Sequence, residues 1–190
     1  MRGVSEREKH LPNFTLPELL RIMHESRTVI SMGAGEPDFI TPRPLLRYGA
    51  NVIHKATHYT PTQGLKGLRE AICKKLKKEN KFNAAPENVI VTTGSQEAIF
   101  ASLLTTTDPK DQVLIPNKGY LAYLQAIELS DGKPVSYKLT EKNNFQPDPD
   151  QIKKLANKKT KAIIINSPSN PTGQVYSRKL LEEIADVARN

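Results

Sequence analysis

A chain of 190 residues, 37% hydrophobic and 25% charged, suits a soluble globular protein of one large domain or two small ones and excludes a disordered one. The formal net charge of +8 raises nucleic acid or another acidic partner. The lysines argue against that as a first choice. Lys74, Lys75, Lys77, Lys78 and Lys81 crowd one predicted helix, and Lys158, Lys159 and Lys161 precede a predicted strand. Neither cluster is interleaved with aromatics as a base-stacking surface requires, so both read as solvated faces. A single cysteine, Cys73, excludes an internal disulfide and a Cys-rich metal site, and it fits a reducing, cytoplasmic setting. His10, His24, His54 and His58 show no metal-ligand spacing. No apolar run reaches membrane-spanning or signal-peptide length, so neither a membrane nor a metal is expected.

Residues 1–13 are polar and read as an arm. Thr15 opens a predicted helix to about Ser26: Thr15 and Glu18 have capping-box spacing, Pro17 falls in the first turn, and Phe14 and Leu19 suit a hydrophobic staple. Val29–Met32 is a short extended piece. Gly33–Phe39 (GAGEPDF) is either an ordinary turn or a backbone segment able to approach a ligand. Thr41-Pro42 starts a helix to about Lys55. After the loop His58–Gly64, Leu65, Leu68, Ile72 and Leu76 share one face of a helix that ends near Asn80.

From there strand and helix alternate. Strands are predicted over Val89–Thr92, Asp111–Ile115, Pro134–Leu139 and Ala162–Ile165. Helices are predicted over Glu97–Thr105, Gly119–Leu129, from Asp148 onward (Pro149 in its first position, Gln151 at capping-box spacing), and Ser177–Ala188. This alternation predicts an α/β fold with a mostly parallel sheet, fed by a helical segment over about residues 1–80.

Three strand ends carry candidate chemistry. Gly94-Ser95-Gln96 sits where a strand turns into a helix, where the first N–H groups and the macrodipole favour a phosphate dianion. The absence of G-x-x-x-x-G-K and G-x-G-x-x-G argues for a small phosphorylated cofactor over a nucleotide; the alternative is a plain serine helix cap. Tyr120 follows the next strand, with Tyr123 one turn on. It either stacks on a flat ring or is a half-buried helix-start residue. Asn170 lies in the proline-stiffened loop Asn166–Gly173 (NSPSNPTG), where its carboxamide either meets a ligand or caps its own backbone. Loops at the carboxyl ends of parallel strands share one edge, the edge where open α/β sheets bind ligands.

Five segments in order, Gly33–Pro42 (GAGEPDFITP), His58–Leu68 (HYTPTQGLKGL), Val91–Phe100 (VTTGSQEAIF), Val113–Tyr123 (VLIPNKGYLAY) and Ile165–Gly173 (INSPSNPTG), resemble the class I and II aminotransferases of fold type I, which use pyridoxal 5′-phosphate. The resemblance implies a three-layer αβα large domain. It assigns 1–50 to an N-terminal arm and helical segment of the small domain and 51–190 to the large domain. It implies that Gly94, Ser95 and Gln96 hold the cofactor phosphate and Tyr120 stacks on its ring. Asn170 would bond the ring oxygen and, with the Gly35 backbone, seat the substrate carboxylate. Tyr59 would cross a homodimer interface to the neighbouring phosphate. Amino acids and 2-oxo acids are the implied substrates. Asn117-Lys118 departs from the family's usual Asp-Pro and is expected to change the loop, not the stacking residue.

The family's Schiff-base lysine, the acid paired with the pyridine nitrogen and the carboxylate-clamping arginine all lie beyond the Asn-Pro-Thr-Gly loop. No lysine here sits in that lysine motif. The sequence is therefore expected to be the N-terminal part of an aminotransferase, without a catalytic residue of its own and with at most weak cofactor binding alone. The alternatives are an inactive fragment or pseudoenzyme serving as a dimerisation or binding module, and, more weakly, a nucleic-acid-binding module.

Overall fold

Among the described residues Val113, Leu114, Ile115 and Pro116 form the longest buried run, and the sheet is built outward from them. The computed structural model describes residues 3, 5, 21–23, 25, 26, 28, 30, 35 and 37–189. It divides into two compact units, one over Asn13–Thr92 and the other centred on Thr93–Asn190.

The Asn13–Thr92 unit is helical. Residues 21–23 and 25 are helical, and Arg21 pairs with Glu25 at 2.8 Å. The capping residues Phe14, Thr15, Pro17, Glu18 and Leu19, and most of Val29–Met32, lie outside the described residues. Helix α1 spans Arg43–Val52, starting just after Pro42, and a 3-10 turn over Ile53–Lys55 continues it. Helix α2 spans Lys66–Asn80 and ends as Lys81 takes a left-handed φ of 55°. Its predicted apolar face is only part covered. Ile72 and Leu76 are half-buried, whereas Leu65 and Leu68 are 56% and 46% exposed. Gly64 is required as glycine: its φ is +94°, and an added Cβ would sit 2.7 Å from Val91.

The expected strand at Val89–Thr92 is a correction. Val89 is extended (φ −117°, ψ 125°) and the Val91 N–H donates to the Gln63 carbonyl at 3.0 Å, yet no ladder forms among the described residues. β-Branched residues favour extended backbone, but a strand also needs a neighbour, and Ile90 is 66% exposed.

In the second unit, helix α3 (Gly94–Thr106) leads to strand β1 (Gln112–Pro116), helix α4 (Ala122–Leu129), strand β2 (Lys133–Tyr137), helix α5 (Pro149–Leu155), strand β3 (Thr160–Ile163) and helix α6 (Arg178–Arg189). Among the described residues the sheet is parallel throughout, in the order β2-β1-β3. Leu114 lies opposite Val135 on one side and Ile163 on the other. Strand alternation splits the core between two faces. Val113 and Ile115 pack with Leu103 of α3 and Tyr123, Ala126 and Ile127 of α4. Leu114 packs with Ile152 of α5, Ile184 of α6, Tyr137 and Leu139. This is the expected three-layer αβα arrangement.

Local chemistry fixes two helix starts. Asp148 accepts from the Asp150 N–H at 2.9 Å and the Gln151 N–H at 3.3 Å. Replacing it with alanine is expected to cost about 1 kcal/mol, read as a lower urea midpoint. The expected capping box does not close, because the Gln151 side chain accepts from the Lys138 N–H instead, at 2.5 Å. At α4 the helix begins three residues later than Gly119. Gly119 sits tight against Pro116, whose Cγ would lie 2.7 Å from an added Cβ.

Candidate active site

Gly94, Ser95, Gln96, Tyr120 and Asn170 all belong to the Thr93–Asn190 unit, whereas Gly35 and Tyr59 belong to the other. β1 and β3 are parallel neighbours, so the loops after them leave the same edge of the sheet. The first carries Tyr120 and the second Asn170. α3 begins at Gly94, and its Ile99 and Phe100 pack on the same core cluster as Tyr120 and Ile164.

Gly94 is the first residue of α3 and has a φ of +77°, a left-handed value that favours glycine, with open space where a Cβ would be. Ser95 and Gln96 follow, both exposed. No side chain of Thr93 caps the helix. The Glu97 carboxylate instead accepts from the Thr93 backbone N–H, just before the first turn. The helix start thus combines accessible backbone, a serine hydroxyl and the positive end of a macrodipole.

Tyr120 is half-buried and meets Tyr123 edge-to-face, with ring centroids 5.7 Å apart at 89°. Burial, with Tyr120 and Tyr176 nearby, raises the Tyr123 phenol above its ordinary pKa. Asn117 and Lys118, where the sequence departs from the family's usual Asp-Pro, each have a partner. The Asn117 N–H donates to the Tyr137 carbonyl at 2.9 Å, and its side-chain oxygen accepts from the Leu139 N–H at 2.7 Å. The Lys118 ammonium lies 5.0 Å from the centre of the Phe145 ring.

The Asn-Pro loop is stitched to itself. Asn166 Oδ1 accepts from the Asn170 N–H at 2.7 Å, Ser169 N–H donates to the Gln174 carbonyl at 2.9 Å, and Gly173 N–H donates to the Ser169 carbonyl at 2.7 Å. Ser167 Oγ accepts from the Tyr176 N–H at 2.9 Å. The peptide bonds before Pro168 and Pro171 are cis. Backbone capping therefore falls to Asn166, and the exposed Asn170 carboxamide has no hydrogen bond among the described residues.

Gly35 is exposed, with nothing within 4 Å of an added Cβ, and Tyr59 is fully exposed. A cleft of about 980 Å³ among the described residues takes in no candidate residue. It is bounded by α5, β3 and α6 and includes Thr160 and Lys161, at the amino-terminal end of β3. Among the described residues no three His, Cys, Asp or Glu side chains gather into a metal cluster, and no helix is long and apolar enough to cross a membrane. Sequence reasoning missed Asn166 and Tyr137. The first was hidden by a second asparagine in the same loop, and the second gave no signal inside a predicted strand.

The family model for "Aminotransferase class I and II" matches residues 27–190. The chain belongs to this family. Class I and II aminotransferases work with pyridoxal 5′-phosphate. The aspartate aminotransferase of Pyrococcus abyssi is 43% identical over 173 residues, covering 90% of this chain and 44% of that protein. The aromatic-amino-acid aminotransferase 2 of Thermococcus litoralis is 42% identical over 162 residues, covering 84% and 42%. The solved aspartate aminotransferase from Thermus thermophilus with maleate superposes with a TM-score of 0.93 at 31% identity, over 100% of this chain and 51% of that one. The chain thus spans about half the length of the class I and II aminotransferases it matches. Its helix start, half-buried tyrosine and unpartnered carboxamide fit a phosphorylated flat heterocycle.

Proposed function

We propose that the protein is an aminotransferase that moves an amino group between an amino acid and a 2-oxo acid, with Gly94, Ser95, Gln96, Tyr120 and Asn170 holding pyridoxal 5′-phosphate. The observation that carries this reading is the parallel register of β1 with β3, because the loops bearing Tyr120 and Asn170 both leave its carboxyl edge. When bound, the cofactor supplies an electron sink for the reacting carbon. The chain's own residues hold and orient it. The α3 start binds the phosphate, Tyr120 covers one ring face and excludes water there, and the Asn170 carboxamide donates to the ring oxygen. The Gly35 backbone and Asn170 seat the substrate carboxylate, and Tyr59 reaches the phosphate of a second subunit in a homodimer. The cytoplasm is the proposed setting, and residues 1–50 and 51–190 the proposed small- and large-domain portions.

Residues 1–190 alone are proposed to bind cofactor weakly and to complete no turnover. No lysine within residues 1–190 is proposed as the Schiff-base lysine. A binding or dimerisation module without catalysis is the second reading. Both are tested by titrating the complete protein with pyridoxal 5′-phosphate, following the visible absorbance of bound cofactor, then adding aspartate and, separately, an aromatic amino acid. Aspartate comes first because it names the Pyrococcus and Bacillus subtilis relatives. A spectral change with one donor and formation of its 2-oxo acid is expected. Cofactor binding without amino-group transfer would favour the second reading, and no binding would sink the cofactor assignment. Turnover by residues 1–190 alone would sink the division of labour.

A further inference from the structure

Tyr137 is the last residue of β2, 1% exposed, and lies on the α5/α6 face of the sheet. β1 separates β2 from β3, yet the Tyr137 hydroxyl donates to the Ile164 carbonyl at 2.9 Å, one residue past the end of β3. A tyrosine side chain is long enough to cross one strand at the usual spacing of about 4.8 Å. The same residue's carbonyl accepts from the Asn117 N–H at 2.9 Å, where the chain leaves β1 toward Tyr120. Tyr137 is thus bonded at one end to the base of the Tyr120 loop and at the other to the base of the Asn170 loop. We infer that Tyr137 is a positioning residue that fixes the two loops relative to each other, and so sets the spacing between the ring-stacking face and the Asn170 carboxamide. The functional part of this inference rests on the cofactor reading above; the mechanical part does not.

The surroundings favour a permanent clamp. Burial first, then the neighbouring Tyr176 and Tyr123, push the Tyr137 phenol well above its ordinary pKa, so it remains a donor at any working pH. Without it, the half-buried Ile164 carbonyl loses its side-chain donor, and the chain leaving β3 loses its one tie to β2 among the hydrogen bonds of the described residues.

Tyr137→Phe removes the hydroxyl and keeps the ring. In the complete protein without cofactor, hydrogen exchange at the Ser169, Asn170 and Gly173 amides should accelerate about two- to tenfold, the effect of one hydrogen bond, while α4 amides such as Ala126 keep their rates. Unchanged loop exchange, or uniform acceleration across the unit, would overturn the clamp. The second arm is a double-mutant cycle on pyridoxal 5′-phosphate affinity and on the visible band of bound cofactor. Tyr137→Phe should weaken binding about two- to tenfold and shift the band, and the double variant with Asn170→Ala should bind no worse than Asn170→Ala alone. Additive losses would overturn the proposed route through Asn170. If Asn170→Ala itself changes nothing, the cofactor reading fails, and the exchange arm still decides whether Tyr137 holds the loops.

Discussion

Leu114→Ala is expected to lower stability by about 3 kcal/mol, within the range of about 2–5 kcal/mol for fully buried leucines. Leu114 is 0% exposed in the middle strand, and it packs in one cluster with Ile152, Ile184, Tyr137 and Leu139. Helices α5 and α6 pack together over this face of the sheet, so the space left by the three deleted carbons cannot close fully. A loss of that size is a large part of the stability of a small domain. Equilibrium urea unfolding reads it as a lower midpoint at a similar slope. Leu121→Ala is the control, because Leu121 is 53% exposed and its truncation should stay within about 0.5 kcal/mol. Equal shifts for the two would contradict the layered core.

Ser95→Asp separates the two readings of the α3 start by giving stability and binding opposite signs. Ser95 is the second residue of α3 and is exposed. A carboxylate in the first turn complements the macrodipole and should stabilise the helix by about 0.3–1 kcal/mol. If the same turn seats a phosphate, the new charge lies beside a dianion. Two like charges about 4 Å apart near a protein surface repel by about 4 kcal/mol, so affinity for pyridoxal 5′-phosphate should fall by about three orders of magnitude. A plain helix cap predicts the first effect without the second. A thermal melt and a cofactor titration on the same variant provide both numbers, and unchanged affinity would remove the phosphate from this turn.

The layers were legible because the apolar runs are short and bounded by clear turn signals. The same reasoning overcalled Val89–Thr92, since β-branched residues announce extended backbone but not the strand that must lie beside it. An apolar run without alternation, such as Ala162–Ile165, suggests a strand with two buried faces, whereas β3 and the residues after it are half-buried and β1 holds the covered position. The site loops were legible as loops because glycine and proline punctuate them. Their internal bonding was not, since two asparagines four residues apart in one loop look alike in a sequence. Only the fold distinguishes Asn166, bonded to the backbone, from Asn170, left open. Tyr137 was invisible for a related reason: its partner lies two strands away, beyond any local pattern.

The strand order also imposes an order in time. β2 returns to β1 after a single short helix, whereas β3 arrives only after a further loop and α5. Closing the nearer pair costs less chain entropy, so the β1–β2 ribbon should assemble first and β3 should dock onto a template already formed. Refolding rates of Val135→Ala and Ile163→Ala, compared at equal loss of stability, would read that sequence of events, with the Val135 variant the slower of the two.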